Sequence, residues 1–363
     1  MSKRIIISGG GTGGHIFPAI AIANELKSLD ASIELLFVGA EGKMEMEKVP
    51  KAGYKIIGLP IVGFKRELSI DSLLFPIKLL KSLWKAYSIV RDFKPNMAVG
   101  VGGYASGPTL MMAALNGVPL LIQEQNSYAG VTNKILSKWA KKVCVAYPKM
   151  ERFFAASKVV FTGNPVRKDI YAANTKRAAA LVHFDLDASK KTVLIIGGSQ
   201  GARSINQAIE HGVEKFNKAD VQIIWQTGKA FMEQAKAVTA GNKNLKVFDF
   251  IYEMDLAYAA ADVVISRAGA SSVSEICLVE KPAVLVPFPA ASEDHQTENA
   301  LSLVNVDAAI LVKDSAAKTD LVPTALQLLN DAAACQRLSQ NVRQLAKPNA
   351  GSDIAKAILE LCN

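Results

Sequence analysis

Arg4 to Asn24 reads RIIISGGGTGGHIFPAIAIAN, an apolar strand, a glycine-rich turn and an amphipathic helix, and Thr192 to Ala208 repeats the design as TVLIIGGSQGARSINQA. Glycine suits such a turn because it enters φ > 0 freely and lets a ligand approach the backbone. The helix that follows offers unpaired N–H groups and the positive end of its dipole. Two copies of this unit predict two anion-binding lobes in one chain.

The flanking sequence extends each copy into a domain. Apolar runs at 5–7, 35–38, 98–101, 120–122 and 143–146 alternate with helical patterns, and the alternation returns at 193–196, 222–225, 245–248, 263–266 and 283–287. Strands separated by helices are the signature of βαβ crossovers. The fold class expected is therefore α/β, with two Rossmann-like, doubly wound parallel-sheet domains facing a cleft. The turn cluster Gly163-Asn164-Pro165 predicts domains of 1–163 and 164–363, with the last helix free to pack back on the first domain. A second correspondence, MAVGVGGYASGPTLMMAALNGVPLLI from Met97 and VVISRAGASSVSEICLVEKPAVLV from Val263, supports the duplication.

Lys plus Arg number 42 and Asp plus Glu 33. The excess lies wholly in the first 166 residues, which hold 21 basic and 11 acidic side chains against 21 and 22 in the rest. Such asymmetry favours an anionic partner: nucleic acid, a membrane surface or a phosphorylated substrate. The four cysteines show no paired spacing of a zinc or redox motif, which fits a reduced, cytosolic setting. The apolar run before the first glycine is only Ile5-Ile6-Ile7, too short for a signal peptide. Residues 95–123 carry no charge, yet their glycines and prolines predict strand, loop, short helix and strand in place of a membrane span.

Gly9, Gly11 and Gly14 match the dinucleotide fingerprint GxGxxG, but the tandem glycine pairs, the adjoining histidine and the second glycine-loop domain fit a nicotinamide enzyme poorly. His15 belongs on the first turn of a helix, where the dipole favours the neutral ring, a competent base. Glu124 stands at the carboxyl end of a strand, a second position for acid–base chemistry, with a solvated loop charge as the plainer reading. Arg167 suits a bidentate grip on a diphosphate. In Ser266 to Glu275 (SRAGASSVSE), small residues leave N–H groups open to an anion, and Glu275 is placed to accept two hydrogen bonds from a ribose diol. Asp294, His295, Gln296 and Asn299 form a polar cluster suited to sugar hydroxyls. Asp185 and Asp187 form a DxD pair that reads as a turn and not as a metal site. Between Asp71 and Arg91, Leu73, Ile77, Leu80, Trp84 and Tyr87 recur at helical spacing while Lys78, Lys81 and Lys85 mark another face. This is a basic amphipathic helix, fit either for an anionic bilayer or for packing on the sheet.

Taken in order, GGGTGGH, GVGGYASGP, QEQN, GNPVR, GGSQGAR, SRAGASSVSE and EDHQTENA resemble the lipid II-forming N-acetylglucosaminyltransferases, a family-28 group of GT-B fold, over nearly the whole chain. The resemblance implies inverting transfer of N-acetylglucosamine from UDP-N-acetylglucosamine to the 4-hydroxyl of the muramoyl sugar of lipid I. It implies peptidoglycan synthesis as the setting, at the cytoplasmic face of the plasma membrane, as a peripheral protein. By resemblance, Thr12, Gly13, Gly14, Asn126, Arg167, Ser199, Ile251, Ala270, Ser271, Ser272, Val273, Ser274, Glu275 and Gln296 contact the donor, and His15 and Glu124 face the acceptor. The loop residues Gly102, Gly103, Tyr104 and Asn299 complete the site. The family often carries histidine before the Glu-Gln-Asn triplet, where this chain has Gln123, so no ionisable role is expected there. Expected partners are lipid I and an anionic membrane surface met through 71–91, with no nucleic acid. The donor is a substrate, no cofactor is tightly bound and no metal is needed. Two other readings remain at this level: a UDP-sugar 2-epimerase of similar two-lobe fold, and a non-catalytic UDP-sugar-binding module.

Overall fold

The structure, a computed structural model, describes residues 2–61, 75–198 and 200–362. It divides into two compact units, one formed by residues up to Val166 together with those from Asn349 onward, the other spanning Arg167–Pro348. The division thus falls three residues beyond Gly163, and the terminal helix Ala350–Leu361 is part of the first unit.

In the first unit, strands β1 (Arg4–Ser8), β2 (Glu34–Ala40), β3 (Lys55–Leu59), β4 (Met97–Gly100), β5 (Leu120–Glu124), β6 (Lys142–Val145) and β7 (Val159–Phe161) form one parallel sheet. Their order is β3-β2-β1-β4-β5-β6-β7. The uncharged stretch 95–123 becomes β4, helix Ser106–Leu115 and β5, and no described helix is long and apolar enough to cross a membrane. Ile5 and Ile7 pack with Ile16, Ile22 and Leu26 of helix Gly13–Leu29, and Ile354 and Ile358 of the terminal helix join that layer. Ile6 points the other way, into the layer of Ala86, Val90 and Leu110. Because both faces are covered, β1 reads as an unbroken apolar run and not as an alternation.

In the second unit, β8 (Thr192–Ile196), β9 (Gln222–Gln226), β10 (Leu245–Phe248), β11 (Val263–Ser266), β12 (Ala283–Leu285) and β13 (Ile310–Leu311) are again all parallel, in the order β10-β9-β8-β11-β12-β13. Both units are thus doubly wound parallel-sheet α/β domains. In each, strand order reverses beside the first strand, between β1 and β4 and between β8 and β11. Crossovers leave to opposite faces there, so the loops at the carboxyl ends part and expose their backbone.

Main-chain contact holds those loops in the first unit. Gly10 N–H donates to Gly102 O at 3.3 Å. Gly103 has φ +87°, and a Cβ built on it would lie 2.3 Å from Gly10 O. Gly103→Ala combines left-handed strain with that clash and is expected to cost at least about 2 kcal/mol in urea unfolding. Gly107→Ala, in helix Ser106–Leu115 with its nearest neighbour 3.9 Å away, is expected to be neutral or slightly stabilising.

Candidate active site

Two loops at the switch point build the site in the first unit. β1 ends at Ser8, the chain turns through Gly9 to Thr12, and helix Gly13–Leu29 begins with no acidic residue in its first turn. Thr12 O accepts from His15 N at 3.1 Å and Ile16 N at 3.2 Å. Thr12, Gly13 and Gly14 lie at the positive end of that helix, where a negative charge is stabilised. His15 Nδ1 lies 3.0 Å from Gly10 O and 3.3 Å from Thr12 Oγ1. A carbonyl oxygen only accepts, so Nδ1 carries the proton and Nε2 is the basic nitrogen. The ring lies against Gly102, where a Cβ would fall 2.9 Å from Nε2. Tyr104, on the same loop, is half exposed.

Glu124 ends β5 and is 1% exposed. One carboxylate oxygen accepts from Asn126 N at 3.1 Å and Asn126 Nδ2 at 3.4 Å, and the other from Gly130 N at 3.0 Å and Asn133 Nδ2 at 2.8 Å. Four donors meet the one carboxylate and occupy its lone pairs, so the group ties the 126–130 loop to the strand end. Gln123 is buried beside it: its Nε2 donates to Asn164 Oδ1 at 2.8 Å and its Oε1 accepts from Gln125. The neutral residue at that position therefore joins two motifs that are distant in sequence, QEQN and GNPVR.

The second unit offers the same strand ends with different chemistry. Gly201 has φ +78°, and a Cβ there would meet Thr227 O at 1.9 Å, so the glycine turn is seated on the Thr227-Gly228 backbone. Gln226 Nε2 donates to Gly198 O at 2.9 Å while its Oε1 accepts from Ile251 N at 2.9 Å, which sets the buried Ile251 beside that turn. Ser199 lies outside the described residues. After β11, helix Ala270–Val279 starts at Gly269 without an acid in its first turn, with Ser271, Ser272 and Ser274 on its opening turns and Val273 buried. Ser274 Oγ bonds back to Ala270 O at 2.9 Å.

Glu275, one turn along, has a side chain 14% exposed. Tyr258 OH donates to its Oε2 at 3.0 Å, and Arg167 Nε lies 3.8 Å from its Oε1. Burial raises the carboxyl's pKa, opposed by the Arg167 charge and the Tyr258 hydrogen bond. Tyr258, fully buried, is pushed well above 10 by burial and by the neighbouring carboxylate. Gln296 Oε1 accepts from Phe288 N at 3.0 Å, and Asn299 is fully buried with Nδ2 on Ala268 O at 3.2 Å, holding the loop before the helix.

Several contributors escaped the motif reading. Glu45 binds the backbone of the first glycine loop, Tyr258 and Gln226 support their loops as above, and Arg267 is consumed internally. Its guanidinium donates to Val286 O at 3.0 Å, Pro287 O at 3.1 Å, Ser204 Oγ at 2.9 Å and the Asp314 carboxylate. Glu45, Gln226 and Tyr258 lie outside the quoted motifs, and Arg267, though inside SRAGASSVSE, carries no local signal of its partners, since each of the four acts on another element. Asp185 is paired with Lys246 at 2.8 Å and Asp187 accepts from Ser189 N at 2.8 Å. Among the described residues, no group of three His, Cys, Asp or Glu side chains is arranged to hold a metal.

Comparison with known proteins extends the geometry. Residues 5–145 match the glycosyltransferase family 28 N-terminal domain and 192–357 its C-terminal domain. The chain is 56% identical over 360 residues to a protein of Parabacteroides distasonis, covering 99% of this chain and 98% of the relative. That relative is named UDP-N-acetylglucosamine--N-acetylmuramyl-(pentapeptide) pyrophosphoryl-undecaprenol N-acetylglucosamine transferase. A Bacteroides fragilis protein of the same name is 55% identical over 362 residues, covering 99% of this chain and 95% of its own. The crystal structure of Acinetobacter baumannii MurG superposes with a TM-score of 0.79 at 30% identity, covering 99% of each chain. A UDP-GlcNAc 2-epimerase from Neisseria meningitidis, covering 99% of this chain and 100% of its own, shares the fold alone, at 13% identity and a TM-score of 0.68. With both domain models matched in order and full-length relatives above half identity, the chain belongs to glycosyltransferase family 28.

Proposed function

We propose that this enzyme transfers N-acetylglucosamine from UDP-N-acetylglucosamine to the 4-hydroxyl of the muramoyl sugar of lipid I, giving lipid II and UDP for peptidoglycan. The observation that carries the reading is the 55–56% identity, across 99% of the chain, to transferases named for that reaction. The two units divide the labour. The second unit takes the UDP moiety: Glu275, held by Tyr258, accepts the ribose hydroxyls, while Arg167 and the opening of helix Ala270–Val279 meet the diphosphate. The first unit takes the acceptor, with His15 as proton acceptor and Glu124 as the residue that shapes the 126–130 loop.

In the transfer, the acceptor oxygen forms a bond to the anomeric carbon and gives its proton to His15 Nε2. The bond from that carbon to the diphosphate breaks, and its electron pair leaves with UDP. Negative charge grows on the leaving oxygen, where N–H groups, a helix dipole and Arg167 stabilise it, so no step calls for a metal. His15→Ala is expected to lower kcat roughly 10²- to 10⁴-fold with a lipid I analogue, with little change in donor KM. Unchanged turnover would remove His15 from the chemistry. Glu275→Ala is expected to raise donor KM about 10-fold or more, by loss of hydrogen bonds to a charged acceptor, and acceptor KM far less. UDP release that proceeds without lipid acceptor would favour the epimerase reading.

The first unit also bears the surface we assign to the membrane. On helix Phe75–Phe93, Ile77, Leu80, Trp84 and Tyr87 form one exposed stripe, with Trp84 76% exposed, while Ser82, Ala86 and Val90 face the protein. Exposed Met111 and Leu115 on helix Ser106–Leu115, which packs against it, add to the apolar surface. An apolar stripe flanked by Lys78 and Lys81 suits an anionic bilayer, its rings entering the headgroup region while ammonium groups meet phosphates. The Leu80→Asp, Trp84→Asp double variant is expected to lose sedimentation with phosphatidylglycerol vesicles while keeping its thermal unfolding midpoint. Equal vesicle binding by a folded variant would sink this assignment.

A further inference from the structure

Glu45 is a buried carboxylate, 1% exposed, at the start of helix Glu45–Lys51, and neither the donor nor the acceptor reading uses it. Its Oε1 and Oε2 lie 3.1 and 3.0 Å from Gly11 N, and Oε1 also accepts from Ala40 N at 3.0 Å. Space for it comes from two glycines, since a Cβ on Gly10 would lie 2.1 Å from Oε1 and one on Gly39 would lie 2.6 Å from its Cγ. A carboxylate buried in this way is costly unless N–H donors meet it.

Gly11 N–H and Gly10 C=O are the two ends of one peptide group. The N–H end donates to Glu45, and the carbonyl end accepts from His15 Nδ1 at 3.0 Å. Carboxylate, amide and imidazole thus stand in series. An anion at the N–H end polarises the amide, makes its oxygen more negative and strengthens the bond to Nδ1–H, because hydrogen bonds in a chain reinforce one another. The same polarity stabilises the ring when it becomes cationic. A carboxylate bonded directly to a catalytic imidazole does this work in hydrolase triads.

We propose that Glu45 is a positioning residue for His15, acting through the Gly10–Gly11 peptide: it holds the Nδ1–H tautomer, leaves Nε2 as the basic nitrogen and strengthens that base. The proposal rests on His15 as proton acceptor for its catalytic consequence, but the coupling of the two side chains can be tested without turnover. The other titratable groups on the packed loops are Glu41, turned to Lys85 at 2.8 Å, Lys43, and Tyr104 beyond Gly103.

The variant is Glu45→Gln, which keeps an acceptor for Gly11 N–H and removes the charge. Imidazole ¹⁵N spectra of the full chain are expected to show the His15 titration midpoint moving down by roughly half a pH unit or more on loss of the neighbouring negative charge. With a lipid I analogue, kcat should fall about 10-fold while donor KM holds, as removal of an interaction made mainly in the transition state requires. A variant with wild-type melting and an unchanged His15 titration overturns the proposal and leaves Glu45 a loop clamp. Should Glu45→Gln not fold, the wild-type protein still decides: the Gly11 amide and the Glu45 carboxyl ¹³C signals must titrate with His15, and their failure to do so overturns the coupling. Full turnover by His15→Ala would instead remove the base assignment alone, leaving the spectroscopic result standing.

Discussion

The parallel pairing of β1 with β4, and of β8 with β11, is the constraint on which both units depend. Once those strands are neighbours, the helices that follow them cover opposite faces, and the turns at their carboxyl ends separate. Backbone N–H groups there have no ladder partner, and an unpaired buried N–H is costly. The glycine turns answer this by approaching other main chain. Gly10 N–H donates to Gly102 O, and Gly103 meets Gly10 and Gly201 meets Thr227 at distances a Cβ would forbid. Several of the glycines that read as ligand cradles are thus first of all contacts between loops, and the loop position relative to the helix N-terminus follows from that contact.

A common backbone plan has been given unlike charges. In the first unit a buried carboxylate, Glu45, already occupies the Gly11 N–H, and the imidazole beside it is held by its Nδ1. In the second, the acid lies one turn into the helix after β11, bonded to a fully buried tyrosine and close to an arginine. The first arrangement sets a carboxylate and an imidazole on the two ends of one peptide group. The second sets a carboxylate between a phenol and a guanidinium. Duplication of the fold supplies two switch points, and the acids that arrive from neighbouring elements make them different.

Sequence reading placed most of the strands within a residue or two, because each is a short apolar run bounded by turn residues. It left out β3, β7 and β13, where Lys55-Ile56-Ile57-Gly58-Leu59, the three-residue Val159-Val160-Phe161 and the two-residue Ile310-Leu311 are too short or too mixed for their periodicity to stand out. The helix at 75–93 was legible as amphipathic, but its pattern has an apolar stripe that suits either sheet or solvent. Only the structure shows Ile77, Leu80 and Trp84 turned outward while Ala86 and Val90 meet the core. Glu124 carried a clear signal by position, yet its four donors come from a loop and a helix whose approach no motif encodes.

By itself, then, the sequence determined the two α/β domains, the glycine turns, the acids and bases at strand ends and the family, all of which depend on residues close together in the chain or on motifs in order. Tertiary structure alone decided which of those groups are spent on the scaffold and which remain for substrate. Glu45 reaches Gly11 across 34 residues and Arg267 reaches Asp314 across 47. Such partners meet only after strands have paired. Hydrogen bonding and burial, which set whether a carboxylate is a clamp, a base or a ligand, are properties of those meetings and not of the local sequence.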